Sequence, residues 1–227
     1  MLVLVLRHHT EDHVGFIGTG FRVRGATLHD ELVTATSRFP DPTGYDAIVV
    51  LGAADAVYDP HALSGRVDDE LRFLRDADAA AVPVLGICFG AQALSVALGG
   101  AAEAMPAMEI GWYDIATCDP DLVGAGPWLE FHGDRCLPPA GADVVARTAA
   151  CVQAFTLGPH LAVQFHPEVD AAQIEAWLEA GSDDQVAAHG IDRYELLADT
   201  AAQEEAAGLR AERLVGAFLG HAGLTRP

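Results

Sequence analysis

The stretch Gly86-Ile-Cys88-Phe-Gly90-Ala-Gln92 constrains this chain more than any other, because it joins the apolar run Val82-Pro-Val-Leu85 to the apolar segment Ala91–Leu98. The first run reads as a buried strand and the second as a helix, so the junction predicts a tight strand–turn–helix unit. A cysteine at that turn, flanked by glycines, is a nucleophile elbow: the side chain is pushed out beyond the sheet edge and the helix aims its first N–H groups at the sulfur. The ordinary fate of a lone cysteine is burial as a small hydrophobe, but a second segment changes the balance. Ala162-Val-Gln-Phe165-His166-Pro167-Glu168 reads as a strand that ends in a histidine and a carboxylate held by proline, which fixes φ. Cys88, His166 and Glu168 then form a candidate thiol triad, with imidazole taking the thiol proton and the carboxylate orienting the ring. Cys88 is expected to face solvent and to contribute little packing.

Further strands are expected at Leu2–Leu6, Ala47–Leu51, Val84–Ile87 and Leu161–Phe165, with helices such as Pro60–Ala80 and Ala91–Leu98 between some of them. That alternation indicates an α/β fold with a doubly wound, mostly parallel sheet. Between Glu109 and Val152, short β-like pieces (Ile110–Ala116, Asp143–Arg147) broken by Pro, Gly and Asp read as antiparallel additions. In doubly wound sheets functional loops collect beyond the carboxyl ends of the strands, and Gly52, Cys88 and His166 each follow a proposed strand. After Glu168 the composition turns Ala- and Glu-rich, with Ile174, Trp177, Leu178, Leu209, Leu214 and Phe218 at helical spacing as packing or partner positions. Two or three helices are expected between Asp170 and Gly220. The whole chain, 1–227, is read as one domain with a core to about residue 169 and a helical C-terminal extension from about residue 170.

A net charge of −20 argues against a phosphate-binding surface, so nucleic acid is not an expected partner. No uninterrupted apolar run approaches membrane-spanning length, and the opening Met1–Leu6 reads as a buried strand rather than a signal segment. A cytoplasmic location without membrane association is expected, with Cys88, Cys118, Cys136 and Cys151 as free thiols, since no Cys-x-x-Cys spacing occurs and a nucleophilic thiol needs a reducing compartment.

Five segments in order give the chain a family resemblance: Val49-Val-Leu-Gly-Ala-Ala-Asp-Ala-Val-Tyr-Asp59, the Cys88 elbow, Glu109-Ile-Gly-Trp112, His132-Gly-Asp134 with Leu137-Pro-Pro139 behind it, and Gln164-Phe-His-Pro-Glu168. Together they resemble the class I (triad) glutamine amidotransferases, most closely free-standing members similar to the amidotransferase domain of GMP synthase. The likeness runs from about Asp46 to Val169 and more loosely back to Met1. It implies a flavodoxin-like fold and hydrolysis of the glutamine amide by Cys88 through a γ-glutamyl thioester, releasing ammonia for a partner synthase, with no cofactor and no metal. It further implies an oxyanion hole from the N–H groups of Phe89 and Ala53, the latter where the family usually has the second residue of a Gly-Gly pair; here the pair is Gly52-Ala53. Gln92 would contact the substrate amide, and the loop His132-Gly133-Asp134 would hold the α-amino and α-carboxylate groups. Phe131 departs from the small polar residue often found before that loop, which puts the substrate's identity in question.

Three function classes follow. The first is the amidotransferase or glutaminase, acting on glutamine for a synthase or, alternatively, on γ-glutamyl amides or peptides by itself; the chain carries no Ser-Gly-Gly-x-Asp-Ser pyrophosphate loop, so a full GMP synthase is not expected. The second is a non-catalytic regulatory binding protein that keeps the fold. The third, a cysteine peptidase or chaperone of the wider superfamily, predicts a histidine directly after the nucleophile, where this chain has Phe89. His8, His9 and His13 are read as loop residues at the crevice rim rather than a metal cluster, Glu11-Asp12 and Asp68-Asp-Glu70 as solvated charges, and Trp112 as core.

Overall fold

Two strand faces explain the architecture of the computed structural model, which describes residues 1–224. Along β1 (Leu2–Arg7), Val3 and Val5 enter one apolar core while Leu4 and Leu6 enter another, so both faces of this strand are buried. β3 (Ala47–Val50), β4 (Val84–Ile87) and β10 (His160–Val163) are likewise buried along their length, the pattern of a parallel sheet covered on both sides. β2 (Thr27–Leu32) adds a parallel edge. On the other flank β9 (Val152–Leu157), β8 (Asp143–Arg147) and β6 (Ala116–Thr117) continue the sheet antiparallel, giving the order β2-β1-β3-β4-β10-β9-β8-β6. The expected doubly wound, flavodoxin-like α/β fold is present, with the four expected parallel strands within two residues of their ends, whereas the piece expected at Ile110–Ala116 belongs to a longer strand, Ala101–Tyr113.

One core lies between the sheet, α1 (Gly15–Arg22) and α7 (Arg193–His221), where Phe21 and Phe218 meet edge to face at 6.3 Å. A Cβ on Gly20 would come within 2.9 Å of Val215, so the glycine sets how closely these helices approach. The opposite face is covered by α3 (Val67–Ala79) and α4 (Phe89–Ala97). The helix expected over Pro60–Ala80 is broken: α2 (Ala62–Gly65) contains Leu63 and Ser64 with φ of 52° and 57°, and a regular helix begins only at Val67.

β5 (Ala101–Tyr113) and β7 (Trp128–Leu137) form a separate antiparallel pair rather than an edge of the main sheet. Its apolar side, with Ile110 and Leu129, packs against Ile174, Leu178, Val186 and Leu196 of the C-terminal segment. That segment consists, among the described residues, of α5 (Ala171–Trp177), a wide turn at Leu178–Ser182, α6 (Asp183–Ala188) and α7. Asp170 caps α5 by accepting from the Gln173 N–H at 2.9 Å. Of the expected packing positions, Ile174, Leu178, Leu214 and Phe218 are buried, but Leu209 is 54% exposed because it falls on the outer face of α7. All four cysteines are free, and no helix among the described residues is long and apolar enough to cross a membrane.

Candidate active site

Cys88 sits between β4 and α4 with φ 52° and ψ −109°, a conformation that costs a non-glycine residue about 1–3 kcal/mol and persists only where its surroundings enforce it. Its N–H donates to Val163 O at 2.8 Å, tying the elbow to β10. The strain therefore lies on the cysteine, and the flanking glycines serve close approach instead. A Cβ on Gly86 would lie 2.6 Å from Gly90 O, and one on Gly90 would lie 2.2 Å from Val50 O. Cys88 is only 6% exposed and packs into the core, contrary to the expectation that it faces solvent, because the helix and the neighbouring strand ends close around it.

His166 leaves the end of β10 and is buried, with Nδ1 at 2.7 Å from Glu168 Oε1. A Cβ on Gly52 would lie 3.1 Å from His166 Cε1 and 3.7 Å from Cys88 Cβ, so the missing side chain at Gly52 leaves the space where ring and thiol converge. Burial alone lowers the pKa of His166, but the charges of Glu168 and Cys88 outweigh it and raise the value well above that of a free imidazole. The edge of Trp177 rests on the same ring at 5.0 Å and 71°.

These groups line a cavity of about 640 Å³. Cys88, His166, Gly52, Ala53, Gln92, Phe131, His132, Gly133 and Asp134 all contribute to its wall, as do Tyr58, Met108 and Trp177. Glu168 stands behind His166 and Phe89 follows Cys88 with its side chain buried, and neither is among the residues that line the cavity. The Phe89 N–H is the first of α4 and so has no acceptor within the helix, and among the described residues Ala53 N–H has none either. Gln92 is buried rather than solvated, with Nε2 at 3.4 Å from Gln164 Oε1.

The His132-Gly133-Asp134 segment is not a loop but the middle of β7. β5 bulges opposite it: the register passes from Ala104↔Asp134 to Glu109↔His132, which leaves Gly133 without a ladder partner. Asp134 Oδ1 accepts from the Tyr58 hydroxyl at 2.8 Å across the cavity. Beneath this segment His132 accounts for an unusual buried charge set. Its Nδ1 lies 2.8 Å from Asp134 O, and its Nε2 faces Glu130 Oε2 at 3.1 Å and Glu109 Oε2 at 3.4 Å. Burial lowers the pKa of His132, but the two glutamates more than reverse this and raise it to about 10. Glu109 Oε2 also accepts from Gln153 Nε2 at 2.9 Å and Thr148 Oγ1 at 3.2 Å, and burial next to Glu109 pushes the Cys151 thiol up to about 12. Glu109, His132 and Cys151 bring their potential ligand atoms within 4.8 Å of one another. His132 on β7 faces Glu109 on β5, and this contact links the two strands, while Glu130, on β7 itself, is fully buried and its pKa is raised by that burial.

Sequence reading missed or misplaced four other residues. His8 lines the cavity from a loop as expected, but its side chain is buried; Glu70 is 0% exposed, not solvated; and Trp177 is a wall of the site as well as a packing residue. Asp12, read as solvated, accepts from Trp177 Nε1 at 3.0 Å and lines the cavity.

Residues 19–179 match the family model for glutamine amidotransferase class-I. The chain is 36% identical over 159 residues to a glutamine-hydrolysing GMP synthase of Limosilactobacillus reuteri, covering 66% of this chain and 29% of that protein. A glutamine-hydrolysing GMP synthase of Listeria innocua is 32% identical over 153 residues, covering 63% of this chain and 27% of that protein. The chain thus spans less than a third of the length of the curated relatives it matches. Among solved structures, a glutamine amidotransferase from Thermotoga maritima superposes with TM-score 0.86 and 25% identity, covering 96% of this chain and 98% of its own. A glutamine amidotransferase from Methylobacillus flagellatus shares the fold, with TM-score 0.86 at 22% identity over 99% of this chain and 96% of its own. The chain belongs to the class I glutamine amidotransferase family.

Proposed function

We propose that this chain hydrolyses the γ-amide of glutamine with Cys88 as nucleophile, His166 as general acid and base, and Glu168 as the orienter of the ring. The observation that carries the reading is the strained cysteine at φ 52° meeting, beside Gly52, a buried histidine bonded to a carboxylate at 2.7 Å. Glu168 on Nδ1 leaves Nε2 as the nitrogen that exchanges protons. His166 takes the thiol proton as sulfur attacks the amide carbon, gives it to the departing ammonia, and then activates water to hydrolyse the γ-glutamyl thioester. Charge on the tetrahedral oxygen meets the N–H groups of Phe89 and Ala53, donors of a kind worth about 3–4 kcal/mol each. Gln92 faces the amide, and Gly133 and Asp134 receive the zwitterionic end. The ammonia is passed to a partner synthase.

A second reading is favoured by the cavity itself. At about 640 Å³ it lies within the range of pockets that hold drug-sized ligands, about 300–1,000 Å³. The C-terminal segment lends Trp177, Ala180, Gly181, Ser182 and Gln185 to its wall, and Phe131 presents an apolar surface where a polar contact to glutamine is absent. That room and apolarity suit a larger γ-glutamyl amide cleaved by the same triad. Ammonia or amine release from glutamine and from a panel of γ-glutamyl amides, by the wild type and by Cys88→Ser, tests both readings. Cysteine-dependent turnover of any panel member is expected, and turnover that survives Cys88→Ser contradicts the assignment.

A further inference from the structure

A second buried histidine–carboxylate pair lies beside the site, built from residues far apart in the chain. His8 directly follows β1, Glu70 projects from α3, and both side chains are almost wholly buried, at 2% and 0% exposure. His8 Nδ1 is 2.9 Å from Gly52 O, and Nε2 is 3.1 Å from both Glu70 oxygens. Each ring nitrogen thus faces an acceptor, since a carbonyl and an ionised carboxylate have no proton to give, and the ring satisfies both only by carrying protons on both nitrogens. Burial works against that cation, but the Glu70 charge and the two hydrogen bonds outweigh it and raise the pKa of His8. With both nitrogens engaged, this ring has none left to exchange protons with a substrate.

The carbonyl it holds belongs to the same peptide unit as the Ala53 N–H. A trans peptide points its C=O and N–H in opposite directions, so a bond that fixes one fixes the other. The His8 ring also packs edge-on against the Phe89 side chain, with centroids at 5.0 Å and planes at 64°. One ring therefore touches the carbonyl behind one free N–H of the site and the side chain of the residue that bears the other.

We infer that His8 and Glu70 are positioning residues that aim the Gly52–Ala53 peptide, so that the Ala53 N–H is set as an oxyanion donor before substrate arrives. A donor held in advance costs no reorganisation during the reaction, and a hydrogen bond onto the carbonyl of an amide strengthens donation by its N–H. The pair supplies the rigidity that a Gly52-Ala53 sequence does not itself provide. The inference rests on the thiol-triad reading above.

The test uses the full chain and whichever γ-glutamyl amide the wild type turns over best. His8→Leu/Glu70→Met removes both polar partners together and leaves no unpaired buried charge. Its kcat is expected to fall by about 10²-fold, the scale of a misplaced catalytic group. Binding of a γ-glutamyl aldehyde, whose thiohemiacetal oxygen occupies the hole, should weaken by a similar factor, on the order of 10²-fold. KM and the rate of Cys88 alkylation by iodoacetamide should stay within about threefold, because ground-state binding and the thiol are untouched. A fall in alkylation parallel to kcat, or a kcat within about threefold of wild type, overturns the inference. If the apolar pair does not fold, the comparison of His8→Asn with His8→Gln decides. The Asn amide reaches the place of Nδ1 and the Gln amide that of Nε2, so Asn should retain about tenfold more kcat, on the scale of a hydrogen bond to a charged group, and equal rates overturn it. A wild type that is inactive on every amide, or active without Cys88, would instead sink the triad itself; a silent His8–Glu70 pair in a Cys88-dependent enzyme sinks only the positioning role.

Discussion

Three buried histidines surround one cavity, and the difference between them lies in which nitrogen is left free. His166 gives Nδ1 to Glu168 and keeps Nε2 for chemistry. His8 spends Nδ1 on Gly52 O and Nε2 on Glu70. His132 spends Nδ1 on Asp134 O and turns Nε2 to Glu130 and Glu109. The residue type and the neighbouring carboxylates are shared, so neither identifies a catalytic base. What separates a proton shuttle from a buried brace is whether both ring nitrogens already face an acceptor of the protein.

The largest expected effect follows directly. His166→Ala should lower kcat by several orders of magnitude, and Glu168→Gln by roughly two orders less, since the ring transfers protons in each step while the carboxylate orients it. Steady-state rates on the two variants measure the gap, and equal losses would mean that Glu168 shares in proton transfer. His132→Asn should act on stability and on KM. Leaving the buried Glu109 charge without its cation costs about 3–5 kcal/mol, a drop of roughly 10 °C or more in Tm for a chain of this size. A melt that moves by less than a few degrees would remove His132 from its bracing role.

The same residue sets an expected pH dependence. Its pKa is raised in the folded state from 6.5 to about 10, so its stabilising contribution is fully present below pH 6.5 and is lost as pH rises through about 10. Thermal melts of the wild type between pH 7 and 10.5 should show falling stability, and His132→Asn should flatten that alkaline limb; parallel curves would contradict the assignment. A smaller effect is expected at the cavity wall. Phe131 packs on Trp177 at 5.7 Å, and Phe131→Ser should raise kcat/KM for free glutamine by up to about tenfold through a restored polar contact, at the expense of larger amides. No change on either substrate class would take Phe131 out of substrate selection.

Much of the sheet was legible because β1, β3, β4 and β10 are built mainly from apolar residues, the mark of strands buried on both faces. The elbow and the His-Pro-Glu strand end were legible for the same reason, as each follows such a strand. β2, with the sequence Thr-Leu-His-Asp-Glu-Leu, was not, because an exposed edge strand needs no apolar pattern. Glu70 was hidden in an acidic run, yet it lies three residues after Val67 and four before Leu74, both buried, so helical spacing places it on the inner face of α3. Its partner His8 is 62 residues away, a distance that only the parallel sheet closes. Trp177 likewise shows the spacing of a packing residue, and its role in the site depends on the segment after Glu168 folding back over β5 and β7.

The central claim is that one thiol and one of the three histidines carry the reaction. Rapid acid quench of wild type during turnover of its best γ-glutamyl amide, followed by peptide mass mapping, tests it most directly. A γ-glutamyl adduct confined to the peptide bearing Cys88, accumulating less when His166 is replaced by Ala and still forming in the His8→Asn and His132→Asn variants, is the predicted result. An adduct on Cys118, Cys136 or Cys151, or acylation of Cys88 that is indifferent to His166, would contradict the account.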